Sequence, residues 1–87
     1  MVYPNPVTGP GPVNLYVPLT AASNVQVDVF TTAFRKVNQL EFMNVQPGSS
    51  VSIPLTDQYG NALADGLYYI VIHAQGLQWT VKLLILR

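Results

Sequence analysis

Residues 67–86 constrain this chain more than any other stretch. Side chains alternate along 67–74, so Tyr68, Ile70, Ile72 and Ala74 share one face while Leu67, Tyr69, Val71 and His73 share the other. A helix would spread the first set around its axis; a strand puts it on one side. Ala74-Gln75-Gly76-Leu77 then turns the chain, with Gly76 where a positive φ is easiest. Residues 78–86 return with Trp79, Val81, Leu83 and Ile85 on one face and Thr80, Lys82, Leu84 and Leu86 on the other. Both segments are apolar on one face and only half polar on the other. That pattern predicts the central hairpin of a β-sandwich.

The remaining segments fit the same plan. Residues 2–6 include Pro4 and Pro6, which remove two backbone donors and predict a short edge strand running into a loop over 8–12. Residues 13–20 place Val13, Leu15, Val17 and Leu19 inward, and Pro18 predicts an edge strand or a bulge there. Residues 24–31 place Val25, Val27 and Val29 inward and Gln26, Asp28 and Phe30 outward. A turn over 31–34 leads into a returning strand, 35–42, with Val37, Leu40 and Phe42 inward. The Val37-to-Leu40 spacing breaks the period of two and predicts a bulge between them. After a Pro-Gly turn over 44–49, Val51, Ile53 and Leu55 face inward along 50–56, and a long loop over 57–66 reaches the final hairpin. The expectation is an all-β, Ig-like sandwich of about seven antiparallel strands. Its core should hold Val27, Val29, Ile53, Tyr68, Ile70, Trp79, Val81 and Leu83.

Composition narrows the function. Eighty-seven residues make a single domain, 1–87. There is no Cys, hence no disulfide and no thiolate chemistry. Charged residues make up 9% of the chain, four basic and four acidic, against about 25% in an average domain. No basic patch exists to neutralise phosphates, which argues against nucleic acid as a partner. No apolar run is long enough for a membrane helix. The N-terminus lacks the regions of an export leader, and the charge is low for a solitary soluble domain. The chain therefore reads as the C-terminal fragment of a longer protein.

Candidate chemistry is thin. His73, the single His, has no carboxylate near it in sequence, so packing or surface placement is favoured over a catalytic base. Ser23, Ser49, Ser50 and Ser52 lack a His–Asp pattern. No enzyme activity and no cofactor are expected. Asp57, Asn61 and Asp65 are weak candidates for a hard cation such as calcium; their spacing matches no compact calcium loop, and turn chemistry explains them better. Tyr16, Phe30 and Tyr69 should face outward, where they would stack on sugar rings or dock a neighbouring protein. Few hydrogen-bonding residues accompany them in sequence, which favours docking. Tyr69, Val71, Leu84 and Leu86, with Leu67, should form one outward patch, for self-association or for docking on a neighbouring domain.

An ordered set of short motifs adds a resemblance. Tyr3-Pro4-Asn5-Pro6, the alternating valines of residues 25–37, Asp57-x-x-Gly60, Gly66-Leu67-Tyr68-Tyr69 and Lys82-Leu83-Leu84-Ile85-Leu86-Arg87 occur in this order across nearly the whole chain. Together they resemble the Ig-like C-terminal sorting domains of the bacterial type IX secretion system, and the related Ig-like domain of the flagellar hook-capping protein. The resemblance implies a non-catalytic accessory module of an exported, secreted or cell-surface bacterial protein, with the secretion machinery as partner. It implies sorting or recognition roles for Gly66, Leu67, Tyr68, Tyr69, Lys82 and Arg87. The alternative is a carbohydrate- or protein-binding Ig-like module without a sorting role. The chain departs from the family's pattern in three places. Ala33-Phe34 replace a Gly-bearing turn before Arg35-Lys36, Leu55-Thr56 stand where a Trp is common, and Gln58 replaces the Gly of an Asp-Gly pair. If the turn geometry is kept, Phe34 must take a positive φ.

Overall fold

The computed structural model describes residues 2–9 and 11–87; Met1, and Pro10 in the loop expected over 8–12, lie outside the described residues. Seven strands form: β1 (Val2–Tyr3), β2 (Val13–Tyr16), β3 (Ser23–Thr31), β4 (Lys36–Val45), β5 (Ser50–Ile53), β6 (Gly66–Ala74) and β7 (Leu77–Ile85). They make two antiparallel sheets, one ordered β1-β2-β5 and the other β4-β3-β6-β7. Among the described residues there is no helix, so none is long and apolar enough to cross a membrane. Alternation decides the packing. Val13 and Leu15 of β2 and Val51 and Ile53 of β5 face Val25, Val27 and Val29 of β3 and Tyr68, Ile70 and Ile72 of β6 across one core. Tyr68 also donates its hydroxyl to the Ala64 carbonyl at 2.7 Å, pinning the corner before β6 in the manner of Ig-like sandwiches.

Several expectations need correction. The final hairpin is not central: β6 lies inside its sheet, but β7 is an edge strand. Trp79 and Val81 are consequently half-buried rather than enclosed, because the opposite sheet is only three strands wide. Residues 13–20 are not an edge strand either. β2 is the middle of the small sheet and stops at Tyr16, before Pro18 would interrupt its ladder. The first bulge sits at Val37 itself, where Phe30 pairs with Lys36 but Val29 with Asn38. Asn38 thereby takes an inward position. It is buried, donating from Nδ2 to the Thr56 carbonyl at 3.0 Å and accepting the Gln39 N–H on Oδ1 at 2.8 Å. A second irregularity, between Ser23 and Val25, lets β4 run on to Val45.

The two ends of the sandwich are held by side chains from distant parts of the sequence. Gln75 and Gly76 have φ of 53° and 73°, the pair of left-handed residues that a tight two-residue hairpin requires. Gln75 is steadied in this conformation by bonds to Thr20, with Nε2 donating to Oγ1 at 3.0 Å and Oε1 accepting the backbone N–H at 3.3 Å. Residues 5–7 act as a strap on β7. Asn5 Nδ2 donates to the Lys82 carbonyl at 2.8 Å, and Asn5 Oδ1 accepts the Leu84 N–H at 3.1 Å. Val7 N–H donates to the Leu84 carbonyl and the Val7 carbonyl accepts the Leu86 N–H, both at 2.9 Å. The chain thus leaves the small sheet after Tyr3 and bonds to the edge of the other, closing one end of the seam between them.

Val27 is fully enclosed at the centre of β3. Val27→Asp would place a carboxylate there without a partner, at a cost of several kcal/mol in a fold whose whole stability is about 5–15 kcal/mol. The variant should show no cooperative thermal transition; an unchanged melting temperature would contradict this register.

Candidate functional site

The residues expected to act in sorting lie on the last hairpin and its flanks. Gly66 opens β6 opposite Ile85, Leu67 faces Leu84, and Tyr69 faces Lys82 on the outer side of the sheet. Tyr68 points the other way and is buried; its burial raises the phenol pKa, partly offset by Arg87. Lys82 is exposed. Arg87 stands apart from that face. Its guanidinium donates to the Leu63 carbonyl, its backbone N–H donates to Asp65 Oδ2 at 3.1 Å, and its Nε lies 3.8 Å from Asp65 Oδ1. It clamps the chain end to the loop before β6. The structure therefore brings Leu67, Tyr69 and Lys82 together outward, turns Tyr68 into the core and gives Arg87 a structural partner.

The expected docking residues share this outer face. Tyr69 and Val71 follow one another along β6, and Leu84 lies across from Leu67 on β7. Leu86 lies just past β7, where its N–H is tied to Val7. Beside them opens a cleft of about 650 Å³ lined by Phe30, Phe34, Val71, His73, Gln78 and Thr80, with Asp28 and Tyr69. Tyr16, expected in the same aromatic set, belongs to β2 in the other sheet and lines a different groove with Trp79.

Asp28 was legible as an outward residue but not as a buried one. Its side chain is only 7% exposed, because three neighbours cover it. His73 Nε2 stands 3.3 Å from Oδ2, Lys36 Nζ 3.7 Å from Oδ1, and Gln26 Nε2 donates to Oδ1 at 3.3 Å. Lys36 also sits over the Phe30 ring, 5.8 Å from its centroid. The carboxylate absent from the sequence around His73 is supplied from β3, since Gln26 pairs with His73 and Asp28 lies two residues on. Sequence spacing could not show this, because cross-strand neighbours are far apart along the chain.

The oxygen-bearing loop is a turn. Asp57 Oδ1 accepts the backbone N–H of Asn61 and of Tyr59, each at 2.9 Å. The Asn61 N–H, aided by those of Tyr59 and Gly60, holds the carboxyl below its ordinary pKa against a smaller desolvation effect. Asp65 is engaged by Arg87 instead. Asp57 and Asn61 thus bond to each other while Asp65 pairs with Arg87, and among the described residues no group of three His, Cys, Asp or Glu is placed to hold a metal.

The hairpin between β3 and β4 keeps a three-residue loop. Phe34 N–H donates to Thr31 C=O and Thr31 N–H to Arg35 C=O, both at 2.9 Å, and Phe34 has a φ of 60°. A left-handed residue other than Gly costs about 1 kcal/mol. Phe34 offsets this by stacking on Tyr69, with centroids 5.4 Å apart and planes 12° from parallel. Such a pair contributes about 0.5–1.5 kcal/mol. Phe34→Gly relieves the strain and loses the stack, so its stability should stay within about 0.5 kcal/mol of wild type. Phe34→Ala keeps the strain and loses the stack, and should fall about 1 kcal/mol below Phe34→Gly. Chemical denaturation of the three proteins checks the order; Phe34→Ala as stable as Phe34→Gly would remove the strain argument.

Comparison with known proteins agrees with this architecture. PorZ, an essential bacterial surface component of the type-IX secretion system of Porphyromonas gingivalis, superposes with a TM-score of 0.73 at 23% identity, over 100% of this chain and 11% of that one. Dimeric latent PorU from the same organism superposes with a TM-score of 0.64 at 24% identity, over 99% of this chain and 9% of that one. At these identities the likeness shows the fold, and the chain spans about a tenth of either protein's length. No curated protein matches the chain. The sequence model of the secretion system C-terminal sorting domain matches residues 1–86. The chain belongs to that family, the type IX sorting domains that mark proteins for export to the cell surface or the extracellular space.

Proposed function

We propose that the export machinery reads the outer face of the final hairpin, with Leu67, Tyr69 and Lys82 as the contact residues and Gly66, Tyr68 and Arg87 holding that face in shape. The supporting observation is the pairing of Leu67 with Leu84 and of Tyr69 with Lys82 across β6 and β7, which gathers distant motifs into one outward surface. Tyr69, Val71, Leu84 and Leu86 supply apolar contact area next to the Lys82 cation, a combination suited to protein recognition. The same surface serves for docking on a neighbouring domain of the parent protein, or for self-association. A sorting domain is not itself catalytic; any activity belongs to the protein that carries it. A folded hairpin is also a sensible thing to read, because the surface exists only when both strands have paired.

A reporter with an N-terminal export leader, fused to residues 1–87, tests this in a bacterium that has the type IX system. The intact fusion should reach the cell surface, and deleting residues 82–87 should abolish display. Since that deletion also removes the end of β7 and the Arg87 clamp, Lys82→Ala is the sharper variant: Lys82 is exposed and should leave the melting temperature unchanged while surface display falls. Normal display of Lys82→Ala would move recognition away from this face. An intact fusion held in the periplasm would refute sorting by this chain.

A further inference from the structure

Strand edges carry unpaired backbone groups, and folded proteins shorten, bend or cover them. Three of the four edges here obey that rule. β1 is two residues long and β5 four. β4 has two irregularities, and its Val37 carbonyl accepts the Gln58 N–H at 2.8 Å. The fourth edge, β7, runs nine residues in unbroken register with β6. The strap of residues 5–7 covers only its C-terminal half, through Lys82 C=O, both groups of Leu84, and Leu86 N–H.

Backbone direction alternates with period two, so the N–H and C=O groups of Gln78 and Thr80, and the N–H of Lys82, point the same way as those covered groups. Among the described residues no hydrogen bond reaches them from that side. Both residues are exposed. Next to them the seam between the sheets stays open: Tyr16, Val17, Pro18, Ile72, Trp79 and Val81 line an apolar groove of about 110 Å³. None of these six carries a charge. The opposite side of the same stretch borders the aromatic cleft through Gln78 and Thr80.

We propose that residues 78–82 of β7 are a strand-addition site for an extended segment of a partner protein. The segment lacks proline at its paired positions and is apolar at alternate positions. Its backbone bonds to Gln78, Thr80 and Lys82, and its inward side chains fill the groove beside Trp79 and Val81. The chain itself shows the mode, because Val7 already adds to the same edge as a parallel bridge opposite Ile85. The inference goes beyond the sorting reading and stands whether or not the partner belongs to the export machinery.

Thr80→Pro tests it. The Thr80 N–H points away from β6, so proline removes the outward donor while leaving the β6 ladder intact, a position where edge strands tolerate it. The probe is a random heptapeptide library displayed on phage and selected on residues 1–87. Selected peptides should show alternating apolar residues and should bind Thr80→Pro about tenfold or more weakly, as expected for about 1.4 kcal/mol of lost contact. Amide exchange on the wild-type domain with a selected peptide gives an answer independent of the variant: Gln78, Thr80 and Lys82 should become protected. Equal binding to both proteins, protection at another edge, or no selected peptide would overturn the proposal. A wild-type dimer that Thr80→Pro dissolves would seat a second copy on this edge, and would overturn the assignment to a partner protein.

Discussion

The strap from residues 5–7 to β7 is the contact on which the rest of the architecture depends. A three-stranded sheet cannot cover a four-stranded one, so one flank of the sandwich must be closed by something other than sheet. Asn5 does this by offering its side-chain amide as though it were a backbone peptide, donating to Lys82 and accepting from Leu84. Val7 continues the bridge and is almost fully buried against Ile85 and Leu83 in the same core. With the flank closed, Leu83 and Ile85 are enclosed; two turns of alternation earlier, where nothing closes it, Trp79 and Val81 are half exposed. One strand therefore has a sealed half and an open half, and the difference lies in three residues from the far end of the chain.

This division shapes the proposed recognition surface. The sealed half carries Lys82, Leu84 and the clamp of Arg87 on Asp65, next to Leu67 and Tyr69. The open half carries Gln78 and Thr80 between an apolar groove and the aromatic cleft. Among the described residues Asp28 is the buried acidic side chain, covered on this face by His73, Lys36 and Gln26. In a chain with so little charge, the recognition proposed above rests on shape, apolar area and backbone hydrogen bonds more than on electrostatic steering.

Much of this was legible in the amino-acid sequence. Period-two alternation assigned the faces of β2, β3, β6 and β7, and turn residues separated seven strands. The left-handed Phe34 followed from its place in a turn where related domains carry Gly. Lateral order was not legible, because alternation says which face a residue takes but not which strands lie beside it. That is why the last hairpin looked central and why Trp79 and Val81 looked enclosed. Asn38 was hidden by the bulge at Val37, which shifts every following residue by one face. The Asp28–His73 pair and the Asn5 strap join residues 45 and more positions apart, and no local pattern announces them. A hint for Asn5 existed in retrospect: between two prolines the backbone has lost donors, and a side-chain amide is what can replace one.

Amide hydrogen exchange on the isolated domain, wild type against Asn5→Ala, tests the strap most directly. In the wild type the Leu84 and Leu86 amides should be protected while Gln78 and Thr80 exchange freely. Asn5→Ala should speed exchange at Leu84 and Leu86 and leave Leu83, which faces β6, unchanged. Equal protection of Leu84 in both proteins, or equal exchange along the whole outer edge of wild-type β7, would show that residues 5–7 do not close the sandwich.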